Sequence, residues 1–268
     1  LGDTGGDTGG DTGGDTGGDT AADCDVADDG SAPFSTLQDA VDASAKGDTI
    51  RVCAGTWEGF DMGDGKLTIV GVEGPAATLI VSRSAPAVAI DGGELELSGF
   101  RIVPLNPSEI YAIHSVDSNL DLHDAEVGDG AGSGVVVYVD HGGATIENVR
   151  FEGNDFSGTG GILGVSGGTL IFRHNIVEGN VNFGAGLNLF AGTMEVSNNL
   201  FVRNTVTGSR LLTMASGVDV YNNVFYGNTF VDAAVLVSFN GGGDLHNNVI
   251  QGNDLKELYN GTSGYSID

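Results

Sequence analysis

Asp121, His123, Glu147 and Arg173 bring two carboxylates, an imidazole and a guanidinium to positions separated by about two dozen residues, 24 from His123 to Glu147 and 26 from Glu147 to Arg173. Glu147 and Arg173 would make an ordinary cross-strand ion pair, worth under about 1 kcal/mol. A second set, Glu195, Asp219 and Asp244, recurs at 24 and 25 residues, with Tyr221 and His246 alongside. Stacked carboxylates of this kind either suit a divalent cation such as calcium or form a solvated acidic stripe that limits lateral sheet association. Both sets exist only if segments of about 25 residues lie next to one another.

The sequence supplies that arrangement. "MEVSNNLFVRN" from Met194, "VDVYNNVFYGN" from Val218 and "GDLHNNVIQGN" from Gly243 are copies of one unit. Weaker copies begin at Leu67, Leu95, Leu120, Ala144 and Leu170, and Gly71, Gly99, Asp124, Asn148, His174, Asn198, Asn222 and Asn247 share one position at steps of 24 to 28 residues. Each unit opens with strict apolar alternation, the mark of a half-buried strand. A bend, a second apolar pair such as Val224–Phe225, a Gly-Asn turn and a third strand ("GVVVYVDHGG", "AAVLVSFNGG") follow. Three short strands cannot close a core alone, but they can as one coil of a stacked solenoid. The expectation is an all-β parallel β-helix of about 8–9 coils, about 25 residues and three strands each. Stacking would align Asn148, Asn198, Asn222 and Asn247 into an asparagine ladder whose amides donate to one coil and accept from the next. Asparagine is also simply a good turn former.

Alternation then sorts the outward residues into two columns. One reads Thr68, Glu96, Asp121, Thr145, Ile171, Glu195, Asp219, Asp244. The other reads Val70, Ser98, His123, Glu147, Arg173, Ser197, Tyr221, His246. Most phenylalanines fall on core or loop positions, with Phe183 and Phe230 in variable loops where they would be exposed.

Ahead of the coils, "FSTLQDAVDASAKGDTIRVCAGTW" reads as a short helix over about 35–46. Ser35 and Gln38 would form a capping box, Leu37, Ala40, Val41 and Ala45 the apolar face, and Lys46–Gly47 the stop. Such a helix would cover the open end of the first coil. The order of helix, GDTIRV and GTW closely resembles the start of right-handed parallel β-helix proteins of the pectin-lyase-like superfamily, and with the coils the resemblance covers about residues 30–268. It implies right-handedness. It also implies that Asp121 and Glu147 would hold calcium and Arg173 would take a proton from a uronic acid, as in the superfamily's lyases. The paired-aspartate and Gly-His-Gly motifs of its glycoside hydrolases are missing, and "DHGG" at Asp140–Gly143 is only a loose echo. The fold hosts lyases, hydrolases, adhesins and structural proteins, so it does not choose among them.

Residues 3–20 read DTGGDTGGDTGGDTGGDT, with no apolar side chain to bury. The division expected is a tail over 1–22 and a β-helix domain over 23–268. The tract resembles spacers behind the export signal of bacterial surface lipoproteins. Asp3, Thr4, Asp7, Thr8, Asp11, Thr12, Asp15, Thr16, Asp19 and Thr20 would then be an assembly tail, added as a strand to another copy or binding calcium through its aspartates. After Asn253, one last partial coil without a cap would leave an edge for that pairing, giving a head-to-tail homo-oligomer or filament.

The formal net charge is −27, from 37 acidic and 10 basic residues, which argues against nucleic acid and anionic lipid as partners. There is no apolar run of about 18 residues for a membrane helix. Cys24 and Cys53 are either a disulfide or two buried thiols, and the exported character of the chain, which starts at Leu1, favours the bridge. The function expected is a non-catalytic bacterial surface or structural protein at the cell exterior. The alternatives are an enzyme binding or cleaving a neutral or acidic polysaccharide, and an adhesin using the loops at 104–113 and 155–161. No cofactor is required by the sequence beyond the calcium such carboxylates would take.

Overall fold

The computed structural model describes residues 24–267 apart from 84–85, 106–110, 133, 157–159, 182, 215–216, 232–234, 240–242 and 262–264. The tail over 1–22, with its proposed assembly residues, lies outside the described residues. The chain winds into a right-handed parallel β-helix. A sixteen-stranded sheet carries the alternating segments that open each coil, and a nine-stranded sheet carries the second apolar pairs, from Gly55–Glu58 to Val249–Gln251. The partial coil expected after Asn253 is present as Glu257–Gly261 and Tyr265–Ile267, both paired in parallel to the coil before.

Coils in the middle of the chain depart from three separate strands. There the third strand of one coil runs straight into the first of the next, giving Tyr111–His123, Val135–Glu147, Gly161–Arg173 and Phe183–Ser197. Pairing resumes beyond the corner, after a register irregularity over Val165–Thr169 in one case, and glycine stands there. Gly142, Gly168 and Gly192 have φ of 117°, 84° and 112°, and a Cβ on Gly168 would overlap the Gly142 carbonyl oxygen. "DHGG" is this corner, with His141 at φ 56° and its Nδ1 2.9 Å from Asp140 Oδ1.

The core is one apolar column, with Phe151, Phe172, Phe201 and Phe225 stacked inside; the last two centroids are 4.8 Å apart. Phe230 is buried rather than exposed, whereas Phe190 is 56% exposed.

The asparagine ladders are real but displaced by one residue. Asn148, Asn198, Asn222 and Asn247 do line up, yet all are exposed and left-handed, with φ of 54–56°. They make the bend, as asparagine readily does in that conformation. The amide ladder belongs to the position after the bend, filled by Asn175, Asn199, Asn223 and Asn248, with Val149 there after Asn148. Asn199 Nδ2 donates to Phe172 O at 2.8 Å and Asn223 Oδ1 at 2.9 Å, and its own Oδ1 accepts from Asn175 N–H at 2.9 Å. A second ladder, Asn154, Asn180, Asn204, Asn228 and Asn253, occupies the Gly-Asn turn. Each amide thereby satisfies its buried valences in a position otherwise closed to a polar side chain.

The helix spans Leu37–Ala43, shorter than expected. Its N-cap is Thr36, whose Oγ1 accepts the Asp39 N–H at 3.1 Å, so Ser35 is not the cap. Gln38 leaves the capping box and reaches the neighbouring strand, accepting the Asp61 N–H at 2.8 Å and donating to Asp61 O at 3.0 Å. Leu37, Ala40 and Val41 are buried, and Ala45 is exposed. Cys24 and Cys53 form a disulfide with Cα atoms 5.5 Å apart, fastening the start of the described chain to the first coil.

Candidate functional site

Strand pairing in the sixteen-stranded sheet places both outward columns as alternation requires. Thr68, Glu96, Asp121, Thr145, Ile171, Glu195, Asp219 and Asp244 are successive partners, and so are Val70, Ser98, His123, Glu147, Arg173, Ser197, Tyr221 and His246. Along this face runs an open groove of about 630 Å³, reaching from Lys66 and Glu94 past Asp121, Thr145 and Ile171 to Glu195 and Asp219. It lies across the strands, along the solenoid axis.

The four residues of the first set are neighbours, but their bonds divide them. Arg173 Nε and Nη2 both donate to Glu147 Oε2, at 2.9 and 2.7 Å, and His174 Nδ1 lies 3.0 Å from Glu147 Oε1. These partners hold the Glu147 carboxyl below the usual range. Glu147 in turn pushes the Arg173 guanidinium further up, so Arg173 keeps its proton. His123 turns the other way, with Nδ1 2.9 Å from Asp124 Oδ2 and Nε2 3.3 Å from Glu96 Oε1. Partial loss of water pulls its pKa down, but the bonds to Asp124 and Glu96 outweigh this and leave it raised. Asp121 joins none of these bonds among the described residues. Loss of water and the nearby Glu96 and Glu147 push its carboxyl up, against the pull of His123 and Arg173.

Glu195, Asp219 and Asp244 stack on successive coils, but parallel stacking sets side chains abreast rather than pointing at one centre. Among the described residues no three His, Cys, Asp or Glu converge to hold a metal. Glu195 Oε1 instead accepts from Ser197 Oγ at 2.6 Å and Tyr221 Oη at 2.7 Å, which lowers its pKa and raises that of Tyr221. The Tyr221 ring stacks on His246 at 5.2 Å.

Two features escape a reading of the columns alone. Thr169 and Thr193, partners on adjacent coils, widen the hydroxyl surface in the middle of the groove. Beyond the glycine corner, Tyr111, His114 and Tyr138 form an outward ring cluster with centroids 4.5–5.8 Å apart. Alternation in "GVVVYVD" marks Tyr138 as outward; its contact with Tyr111 is diagonal and invisible in one strand. Residues 106–110 and 157–159 of the two loops considered for an adhesin lie outside the described residues.

The sequence profile of the right-handed beta helix region matches residues 111–268, more than half of the chain, and the chain belongs to that family. No curated protein matches it, and no solved structure does.

Proposed function

We propose that this chain is a non-catalytic surface protein that holds an extended glycan along the groove of its sixteen-stranded sheet. The observation that carries this reading is the groove itself. It crosses successive coils, so it offers hydroxyl, amide and carboxylate groups at a regular spacing of about 4.8 Å to a linear, repeating ligand. Chemistry is disfavoured by the bonding around Arg173, where a guanidinium bound twice to Glu147 is the reverse of a base poised to take a proton.

The helix, GDTIRV and GTW order supports a place in the pectin-lyase-like superfamily. The disulfide supports an oxidising compartment, and with the DTGG tract an exported, bacterial cell-surface location. Self-association through residues 1–20 would add a structural role, with the tail of one copy meeting another.

The test is a calorimetric screen of linear glycans against the whole chain, run with an assay for new reducing or unsaturated ends. Binding without product is expected. Product that disappears in Arg173→Ala would establish the lyase instead, and no binding by any linear glycan would remove the groove reading.

A further inference from the structure

Charge along the groove is uneven. One end carries Glu94, Glu96 and Asp121, and the other Glu195 and Asp219. Between them, Thr145 and Ile171 occupy the same outward column, with Thr169 and Thr193 beside them, so the middle is uncharged and rich in hydroxyls. Lys66 is the one cation among the described lining residues, and it is spent on Glu94 at 3.0 Å. Arg101 and Arg150 stand on the nine-stranded sheet, paired there with Glu126 and Glu178, and Arg173, on the groove's own face, is bound twice to Glu147 while still drawing on Asp121 and Glu195 from beside the groove.

We infer that the groove takes a linear amino-sugar glycan, whose ammonium groups are anchored at the two acidic ends while its hydroxyls lie along the neutral middle. This rests on the groove reading above and narrows it. A uronate chain, the opposite case, would bring negative charge into a carboxylate-lined cleft on a protein of net charge −27. Loss of water is the largest cause of the raised Asp121 pKa, with Glu96 and Glu147 adding to it and His123 and Arg173 opposing it.

The ends are separated by the steps Asp121, Thr145, Ile171 and Glu195, three coils or about 14 Å. A β-1,4-linked sugar chain advances about one coil spacing per unit and turns over at each, so same-face amino groups recur every second unit; units one and five, about four coil spacings apart, match Asp121 to Asp219 or Glu96 to Glu195, and a five-unit oligomer is the shortest that reaches both ends. An extended peptide presents same-face side chains about 6.8 Å apart, out of step with the coils, which favours the glycan over a basic peptide.

The experiment titrates the whole chain at low ionic strength with glucosamine oligomers of two to six units. Fully N-acetylated oligomers, oligogalacturonate and oligolysine of matched length are run beside them. Glucosamine oligomers are expected to bind about tenfold tighter than N-acetylated ones, the sum of two partly exposed ion-pair sites, with a step in affinity at five units and a loss in salt. Asp121→Asn and Glu195→Gln should each remove much of that gain, while Glu73→Gln, on an exposed turn outside the groove, should leave it. Binding should also lower the Asp121 carboxyl pKa read by carbon NMR. Equal or tighter binding of N-acetylated or uronate chains would overturn the inference and leave the groove reading standing. Oligolysine as tight as the glucosamine pentamer, or no step with length, would reduce it to unspecific polycation binding. No binding by any oligomer would remove both.

Discussion

Asn204→Ala tests the internal architecture most directly. In the wild type, Asn204 Nδ2 donates to Val177 O at 2.8 Å and Asn228 Oδ1 at 2.9 Å, and its Oδ1 accepts from Asn180 N–H at 3.1 Å and Asn180 Nδ2 at 3.0 Å. Alanine removes all four. The Asn180 N–H is left buried without its acceptor, at about 1–3 kcal/mol, and the other three bonds are worth about 0.5–1.5 kcal/mol each. Some carbonyls and amides retain second partners, so the net loss expected is about 3–5 kcal/mol. Asn198→Gly is the companion. Asn198 has the left-handed φ of 56° and faces solvent, and glycine takes that conformation without penalty. Its stability should change by less than about 0.5 kcal/mol. Guanidinium unfolding followed by circular dichroism measures both, and amide exchange at Asn180 reports the orphaned N–H. A loss below about 1 kcal/mol for Asn204→Ala, or a larger loss for Asn198→Gly than for Asn204→Ala, would refute the assignment of ladder and bend.

Replacing Cys24 and Cys53 together by serine should cost about 3 kcal/mol in thermal or denaturant unfolding, as for a loop of this length in the chain-entropy model. His123 should titrate above the usual histidine range by NMR, and Asp124→Asn or Glu96→Gln should bring it down. Because its folded pKa is raised, the stability it contributes is complete below about pH 6.5 and is lost as pH rises through the folded value. Gly168→Ala should cost more than about 3 kcal/mol, since both its φ of 84° and the Gly142 carbonyl oppose a Cβ; a near-neutral outcome would mean that the corner is not built as described.

Much of this fold was readable because stacking multiplies each signal. Alternation in "MEVSNNLF" alone is weak, but eight copies at steps of 24 to 28 residues placed every residue of both outward columns on its partner. The ladder was misassigned because two asparagines stand together, and composition does not say which turns inward. The weaker copies do say it. Phe100, Ala125 and Val149 fill the second position, an interior pattern, while Gly99, Asp124 and His174 fill the first, where the backbone must be left-handed. The merging of third and first strands depends on glycine at a corner beyond which pairing resumes, which a period of two cannot show. At the site, the columns gave proximity but not bonding. Whether Glu147 turns to Arg173 or His123 is decided by rotamers and by His174, a residue on the bend.

In-register stacking also bears on how such a molecule can diverge. A substitution in the groove changes the side chain that one coil offers, but it cannot move Asp121 relative to Glu195. Gaining or losing a whole turn would do so in one event, at an unchanged cross-section, because every layer presents the same upper and lower surface to its neighbours. Reach is thus inherited in whole-turn increments and chemistry residue by residue, two properties that mutation can alter independently.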